Sequence, residues 1–142
     1  MNKLTLHYGV ALLAAPLFVI LHNLLFQHPI INTTLPLNYL TALFLLLLFY
    51  PIVEELIFRG MIQEYIALKT NNKIIFNPIS LANVLTSVLF VTIHFIYHTP
   101  LWALLVFIPS LIFGYFKEQY QSIYPSIFLH IFYNICSLFL FI

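Results

Sequence analysis

Apolar residues fall in long blocks along this chain instead of recurring at every third or fourth position. Five blocks stand out: roughly Leu6 to Phe26, Leu37 to Leu68 with interruptions, Ile79 to Tyr97, Leu101 to Phe116 and Ile123 to Ile142. A helix that is hydrophobic all round must sit in a large core or in lipid. About 20 apolar residues are needed to cross a hydrocarbon layer ~30 Å thick, and these blocks approach or exceed that length. The pattern predicts an all-α, polytopic transmembrane helical bundle with about five membrane-spanning helices, forming a single integral membrane domain over residues 1–142. The breaks carry loop chemistry: His28-Pro29 to Pro36, Thr70 to Pro78 with three Asn, Thr99-Pro100, and Lys117 to Pro125. A β-barrel would alternate lumen-facing and lipid-facing residues, which continuous runs such as Ala42 to Phe49 exclude.

The second block is too long for one straight crossing, since a helix over 37–68 would extend ~48 Å at a rise of about 1.5 Å per residue. It is expected to be long or broken, with Pro51 and Gly60 as bend points. The first block begins like a signal peptide, with Ala14-Ala15 near a cleavage position. It runs on to Phe26, beyond the ~7–15 residues of a signal's apolar region, and so is expected to be a first transmembrane helix.

Composition agrees with the pattern: 63% of the 142 residues are hydrophobic, 6% are charged, and the mean hydropathy is +1.03. A net charge of +1 without a basic cluster excludes a nucleic-acid surface. The single cysteine, Cys136, has no partner for an internal disulfide or a thiolate metal site and reads as a packing residue. Lys3, Lys69, Lys73 and Lys117 all fall on one side of a five-crossing chain, so the positive-inside rule predicts a cytoplasmic N-terminus.

Three charges interrupt the second block. Each of Glu54, Glu55 and Arg59 would cost ~2.5–3.5 kcal/mol near a helix centre facing lipid, so they must face the protein interior or lie at the membrane boundary. Glu55 and Arg59 are four apart, acid first, the order that favours a pair on one helix face. Glu54 projects about 100° away, because successive residues turn by that angle at 3.6 residues per turn. An Arg partner holds one carboxylate ionised, while burial and like charge raise the other's proton affinity, which leaves Glu54 as a candidate general base. At the cytoplasmic helix end, all three would instead be ordinary solvated charges. The third block adds His94 with Phe90 one turn earlier, and the fifth adds His130 with Asn134 one turn later. Imidazole can exchange a proton near neutral pH and an Asn amide can donate to an oxyanion. With straight helices and these boundaries, His94 falls near the outer face and Glu54 nearer the cytoplasm. The second block must slide or the third must tilt for the two to meet.

The segment Glu54-Glu55-Leu56-Ile57-Phe58-Arg59-Gly60 resembles the EExxxR motif of the CPBP intramembrane proteases, which include the CAAX prenyl endopeptidases. Phe90-Val91-Thr92-Ile93-His94 is similar to that family's FxxxH, and His130-Ile131-Phe132-Tyr133-Asn134 to its HxxxN. Gly114-Tyr115 and Ser122 to Ser126 resemble the approach to its last motif helix. The motifs occur in family order on separate apolar blocks and delimit a catalytic core at about 50–137. The resemblance implies hydrolysis of a peptide bond in a membrane-associated protein or peptide. Glu54 and His94 would activate water, His130 and Asn134 would stabilise the oxyanion, and Glu55, Arg59 and Phe90 would support them. It also implies the plasma membrane of a bacterium.

No cofactor is expected under that mechanism. Zinc is the alternative, since two His and one Glu form a familiar catalytic ligand set, here Glu54, His94 and His130. His98 shares helical spacing with His94 but adjoins Thr99-Pro100 and reads as interfacial. His7, His22, His28 and Glu64 lie near block ends, and Trp102, Tyr97 and Tyr124 read as membrane-boundary anchors. Two other classes fit the same residues: a non-proteolytic scaffold or bacteriocin-immunity-type protein, and a small proton or ion carrier. The sequence carries no signal for oligomeric state.

Overall fold

The computed structural model describes residues 2–26, 39–96 and 99–138. The expectations for His28, the break at 28–36, Tyr97, His98 and the end of the fifth block lie outside the described residues. Among the described residues the fold is all-α apart from one short hairpin. Helix α1 is Lys3–Phe26, and α2 is a continuous helical run over 39–69. The strands β1 (Ile74–Phe76) and β2 (Ile79–Ser80) pair antiparallel; then follow α3 (Leu81–His94), α4 (Pro100–Leu105), α5 (Phe107–Tyr120) and α6 (Tyr124–Leu138).

Five helical runs are therefore present among the described residues, as the apolar blocks predict, with α4 and α5 forming one run interrupted at Val106. Among the described residues, three stretches are long and apolar enough to cross a membrane: Lys3–Leu25, Leu40–Lys69 and Pro100–Tyr120. Helix α3 has 14 residues, about 21 Å at 1.5 Å per residue, shorter than the ~30 Å core. The predicted third segment was longer because Ile79 and Ser80 belong to β2, and because α3 stops at His94. Conversely, α5 continues to Tyr120, so Lys117 and Glu118 lie in its last turn and not in a loop.

The expected break in the second helix takes the form of winding changes. The run is α-helical over Tyr39–Phe44, Tyr50–Glu55 and Glu64–Lys69, and π-helical over Leu45–Phe49 and Leu56–Gln63. Pro51 cannot donate a backbone N–H, and the first π turn lies directly before it, where the helical ladder would otherwise be disrupted. Gly60 falls inside the second π stretch.

Packing divides the chain into two units, Met1–Ile52 with Phe128–Ile142, and Val53–Ile127. In the first, Ala11, Ala15 and Val19 form a buried stripe at four-residue spacing on α1. The Tyr133 hydroxyl donates to the Ala11 carbonyl at 2.7 Å, and Asn134 Nδ2 donates to the Leu46 carbonyl at 3.0 Å.

The second unit has a polar interior. Glu55, Arg59, Gln63, Asn83, Thr86, Ser87 and Ser110 are completely buried, whereas Leu56, Ile57, Met61, Tyr65, Leu68, Leu85, Leu89 and Ile93 are exposed. In water this inversion would cost the unit its main driving force; in lipid, apolar side chains belong outside and polar groups must satisfy one another within. The contacts fix helix direction. Arg59 meets Ser110 and Gln63 meets Gly114, so α2 and α5 run parallel here. Ser80 meets Glu118 and Asn83 meets Leu111, so α3 runs antiparallel to both.

Gly114 is where α5 approaches α3 most closely. A Cβ there would overlap Asn83 Oδ1 and Cγ and stand 3.0 Å from Gln63 Oε1, whereas one on Gly60 would meet nothing within 4 Å. Gly114→Ala is expected to lose about 1–3 kcal/mol through overpacking. Gly60→Ala should be neutral or stabilising by up to about 1 kcal/mol, from helix propensity. Thermal unfolding of the two variants in the same detergent checks the contrast.

Candidate active site

Arg59 is the centre of the buried network. Its Nε donates to Glu55 Oε2 at 3.3 Å, Nη1 to Gln63 Oε1 at 3.3 Å and Nη2 to Ser110 Oγ at 2.7 Å. The Glu55 and Arg59 side chains are both fully buried. This is the intrahelical pair that the spacing predicts. The wider π turn keeps residues four apart nearly aligned, so Glu55, Arg59 and Gln63 form one stripe.

The network continues away from the pair. Gln63 Nε2 donates to the Gly114 carbonyl at 3.2 Å and to Glu118 Oε1 at 2.7 Å, and Ser80 Oγ donates to the same carboxylate oxygen at 2.5 Å. Ser80 also caps α3, accepting from Asn83 N at 2.9 Å, while Asn83 Nδ2 donates to the Leu111 carbonyl at 2.9 Å. Sequence reasoning did not single out Gln63, Ser80, Asn83, Ser110 or Glu118. The available signal was the four-residue repeat of small or polar positions at 55, 59 and 63 and again at 110, 114 and 118.

Glu54, next to the buried pair, is half-buried and has interactions of its own. Adjacent carboxylates therefore occupy different environments: Glu55 is locked to Arg59, and Glu54 sits at the margin of the core.

His94 ends α3. Its Nδ1 lies 2.8 Å from the Phe90 carbonyl oxygen. That oxygen can only accept, so Nδ1 carries the proton and Nε2 the lone pair of the neutral ring. The Phe90 ring lies against the imidazole, with centroids 4.3 Å apart, and meets Phe58 edge-to-face at 5.0 Å. Arg59 Cζ stands 5.7 Å from the Phe90 centroid. Phe90 thus joins the Glu-Glu segment to His94. Because α2 and α3 are antiparallel, stepping one turn back from Phe58 and one turn on from Phe90 puts Glu54 and His94 at the same level. The contact between Phe58 and Phe90 sets this register.

His130 and Asn134 lie one turn apart on α6, in the other unit; His130 is 6% exposed and Asn134 half-buried. The remaining candidates have ordinary environments. Glu64 is exposed and paired with Lys117, His7 is exposed, His22 contacts the Phe18 ring at 6.0 Å, and Cys136 is a buried free thiol. Among the described residues no three His, Cys, Asp or Glu side chains are grouped as a metal site.

Residues 36–136 match the family model for the type II CAAX prenyl endopeptidase Rce1-like proteins. The chain belongs to that family. The match covers most of the 142 residues and includes all three motif segments. No curated protein and no solved structure matches the chain. Membership in a membrane-embedded CAAX-type protease family agrees with the three apolar spans and the inverted interior.

Proposed function

We propose that this Rce1-like protein is an intramembrane endopeptidase that hydrolyses a peptide bond of a membrane-associated protein or peptide. The family match over the Glu54, His94, His130 and Asn134 segments carries this reading. Glu54 takes a proton from water, and the resulting hydroxide adds to the scissile carbonyl carbon. His94 shares in positioning that water through Nε2, the nitrogen left with a lone pair by the Phe90 carbonyl contact. His130 and Asn134 take the oxyanion role. Glu54 then returns its proton to the leaving amine nitrogen as the C–N bond breaks. No metal enters this reaction.

The three lysines of the Val53–Ile127 unit, Lys69, Lys73 and Lys117, support a cytoplasmic assignment for that end, with the plasma membrane of a bacterium as the location. The test works with an unidentified substrate. Protein termini are compared between membranes of native cells carrying the wild-type chain or Glu54→Gln at equal abundance. Termini that depend on Glu54 are the expected result, and they identify the cleavage site; identical termini would sink the proposal.

Phe90 acts in this scheme as a positioning residue. Phe90→Leu keeps the carbonyl that holds His94 Nδ1 but removes the ring beside the imidazole. It should lower kcat by about 10- to 100-fold, the scale of a misplaced catalytic group, with KM close to wild type. A parallel rise in KM, or a loss matched by falling protein abundance, would make Phe90 a general packing residue.

A further inference from the structure

The Val53–Ile127 unit contains a cavity of about 270 Å³ lined by Gly60, Glu64, Lys117, Gln121, Ser122 and Ile123. None of these residues takes part in the proposed reaction. The cavity lies at the end of the unit that holds the C-terminus of α2, the C-terminus of α5 and Lys69. Exposed aromatic side chains surround that end: Tyr65, Tyr120 and Tyr124, with Lys69 Nζ over the Tyr65 ring at 5.6 Å. Exposed Tyr and Lys in an apolar chain mark the headgroup level of a bilayer. Exposed Met61 and Leu68 share this stretch of α2, so apolar surface adjoins the polar cavity.

The charges in the cavity select among ligands. Lys117 and Glu64 form an ion pair in which Lys117 is 13% exposed and Glu64 55% exposed. A ligand carrying only negative charge would draw Lys117 away and leave Glu64 uncompensated. A ligand carrying both charges would exchange partners without loss: its phosphate to Lys117 and its ammonium to Glu64. Two further donors are suited to phosphate. Ser122 Oγ accepts from Tyr124 N at 3.3 Å and retains its hydroxyl proton, and Gln121 Nε2 uses one of its two hydrogens on the Glu118 carbonyl at 2.5 Å. Pockets for drug-sized ligands measure about 300–1,000 Å³. This cavity falls below that range and suits a headgroup.

We propose that the cavity binds the headgroup of a zwitterionic aminophospholipid, with Lys117, Gln121 and Ser122 on the phosphate and Glu64 on the primary ammonium. The acyl chains lie along the exposed apolar face of α2. Gly60 keeps the cavity open: a Cβ built there meets nothing within 4 Å, so a larger side chain enters the space without displacing backbone.

The test is native mass spectrometry of the full chain in detergent, offered phosphatidylethanolamine, phosphatidylglycerol or phosphatidylcholine. Wild type should retain phosphatidylethanolamine in preference to both others. Glu64→Gln should lower its retention about tenfold, the effect of roughly 1.4 kcal/mol, and raise that of phosphatidylglycerol. Lys117→Gln should lower both, and Gly60→Leu should abolish retention while leaving thermal unfolding without lipid unchanged. Equal retention of all three lipids, or none, overturns the proposal. So does a Gly60→Leu variant that keeps its lipid, including one that instead raises KM for a peptide substrate, which would assign the cavity to substrate.

Discussion

Glu54→Gln is expected to lower peptide-bond cleavage by about 10²–10⁴-fold, the usual contribution of a general acid–base group, while the protein still accumulates in membranes. The two parts of this outcome come from the different surroundings of neighbouring carboxylates. Glu55 is completely buried and bonded to Arg59, whereas Glu54 is half-buried and lies outside the Arg59 hydrogen bonds. Gln preserves the size of Glu54 and much of its hydrogen bonding, but an amide cannot take the proton from water or return it to the leaving amine. The measurement is single-turnover cleavage of the substrate identified by its Glu54-dependent terminus, alongside immunodetection in carbonate-washed membranes. Wild-type cleavage by Glu54→Gln would exclude Glu54 as the base. Pairing Glu54→Gln with a chelator titration of wild type separates the zinc alternative, which predicts activity lost on metal removal and restored by zinc.

Much of this arrangement is legible in the order of residues alone. Block lengths reveal helices in lipid because a spanning segment has no amphipathic face to conceal. The Glu55–Arg59 pair follows from a spacing of four, which survives the π winding of Leu56–Gln63. The winding itself is not legible, since Pro51 and Gly60 signal only that a regular helix is interrupted. Nor is the role of Gln63 and Glu118. Both lie near the polar ends of apolar blocks, where a solvated position is the ordinary expectation, and only the parallel packing of α2 with α5 turns them inward to meet. Helix α3 shows the same limit. The hydrophobicity of Ile79 and of the stretch after His94 suggests a longer helix, yet Ser80 starts it by capping Asn83 N. Sequence periodicity identifies which residues share a face; the register between faces depends on contacts such as Phe58 with Phe90, which hydropathy does not encode.

Arg59→Ala is expected to cause the largest loss of stability, about 3–5 kcal/mol, the cost of removing one partner from a buried charge pair. The substitution strands three acceptors at once: Glu55 Oε2, Gln63 Oε1 and Ser110 Oγ. Glu55 is the costly one, since its fully buried carboxylate is left without its guanidinium. Arg59→Lys should recover little, because a single ammonium cannot reproduce a planar fork directed at three acceptors. Removing the stranded charge should recover more. In Glu55→Leu/Arg59→Ala the carboxylate is replaced by an apolar side chain of similar size, so the double variant should be more stable than Arg59→Ala alone. Chemical unfolding in mixed micelles, read by fluorescence of the single Trp102, measures wild type and each variant. A double variant whose loss equals the sum of the two single losses would mean that Glu55 and Arg59 act independently, and the stranded carboxylate would then not be the source of the loss in Arg59→Ala.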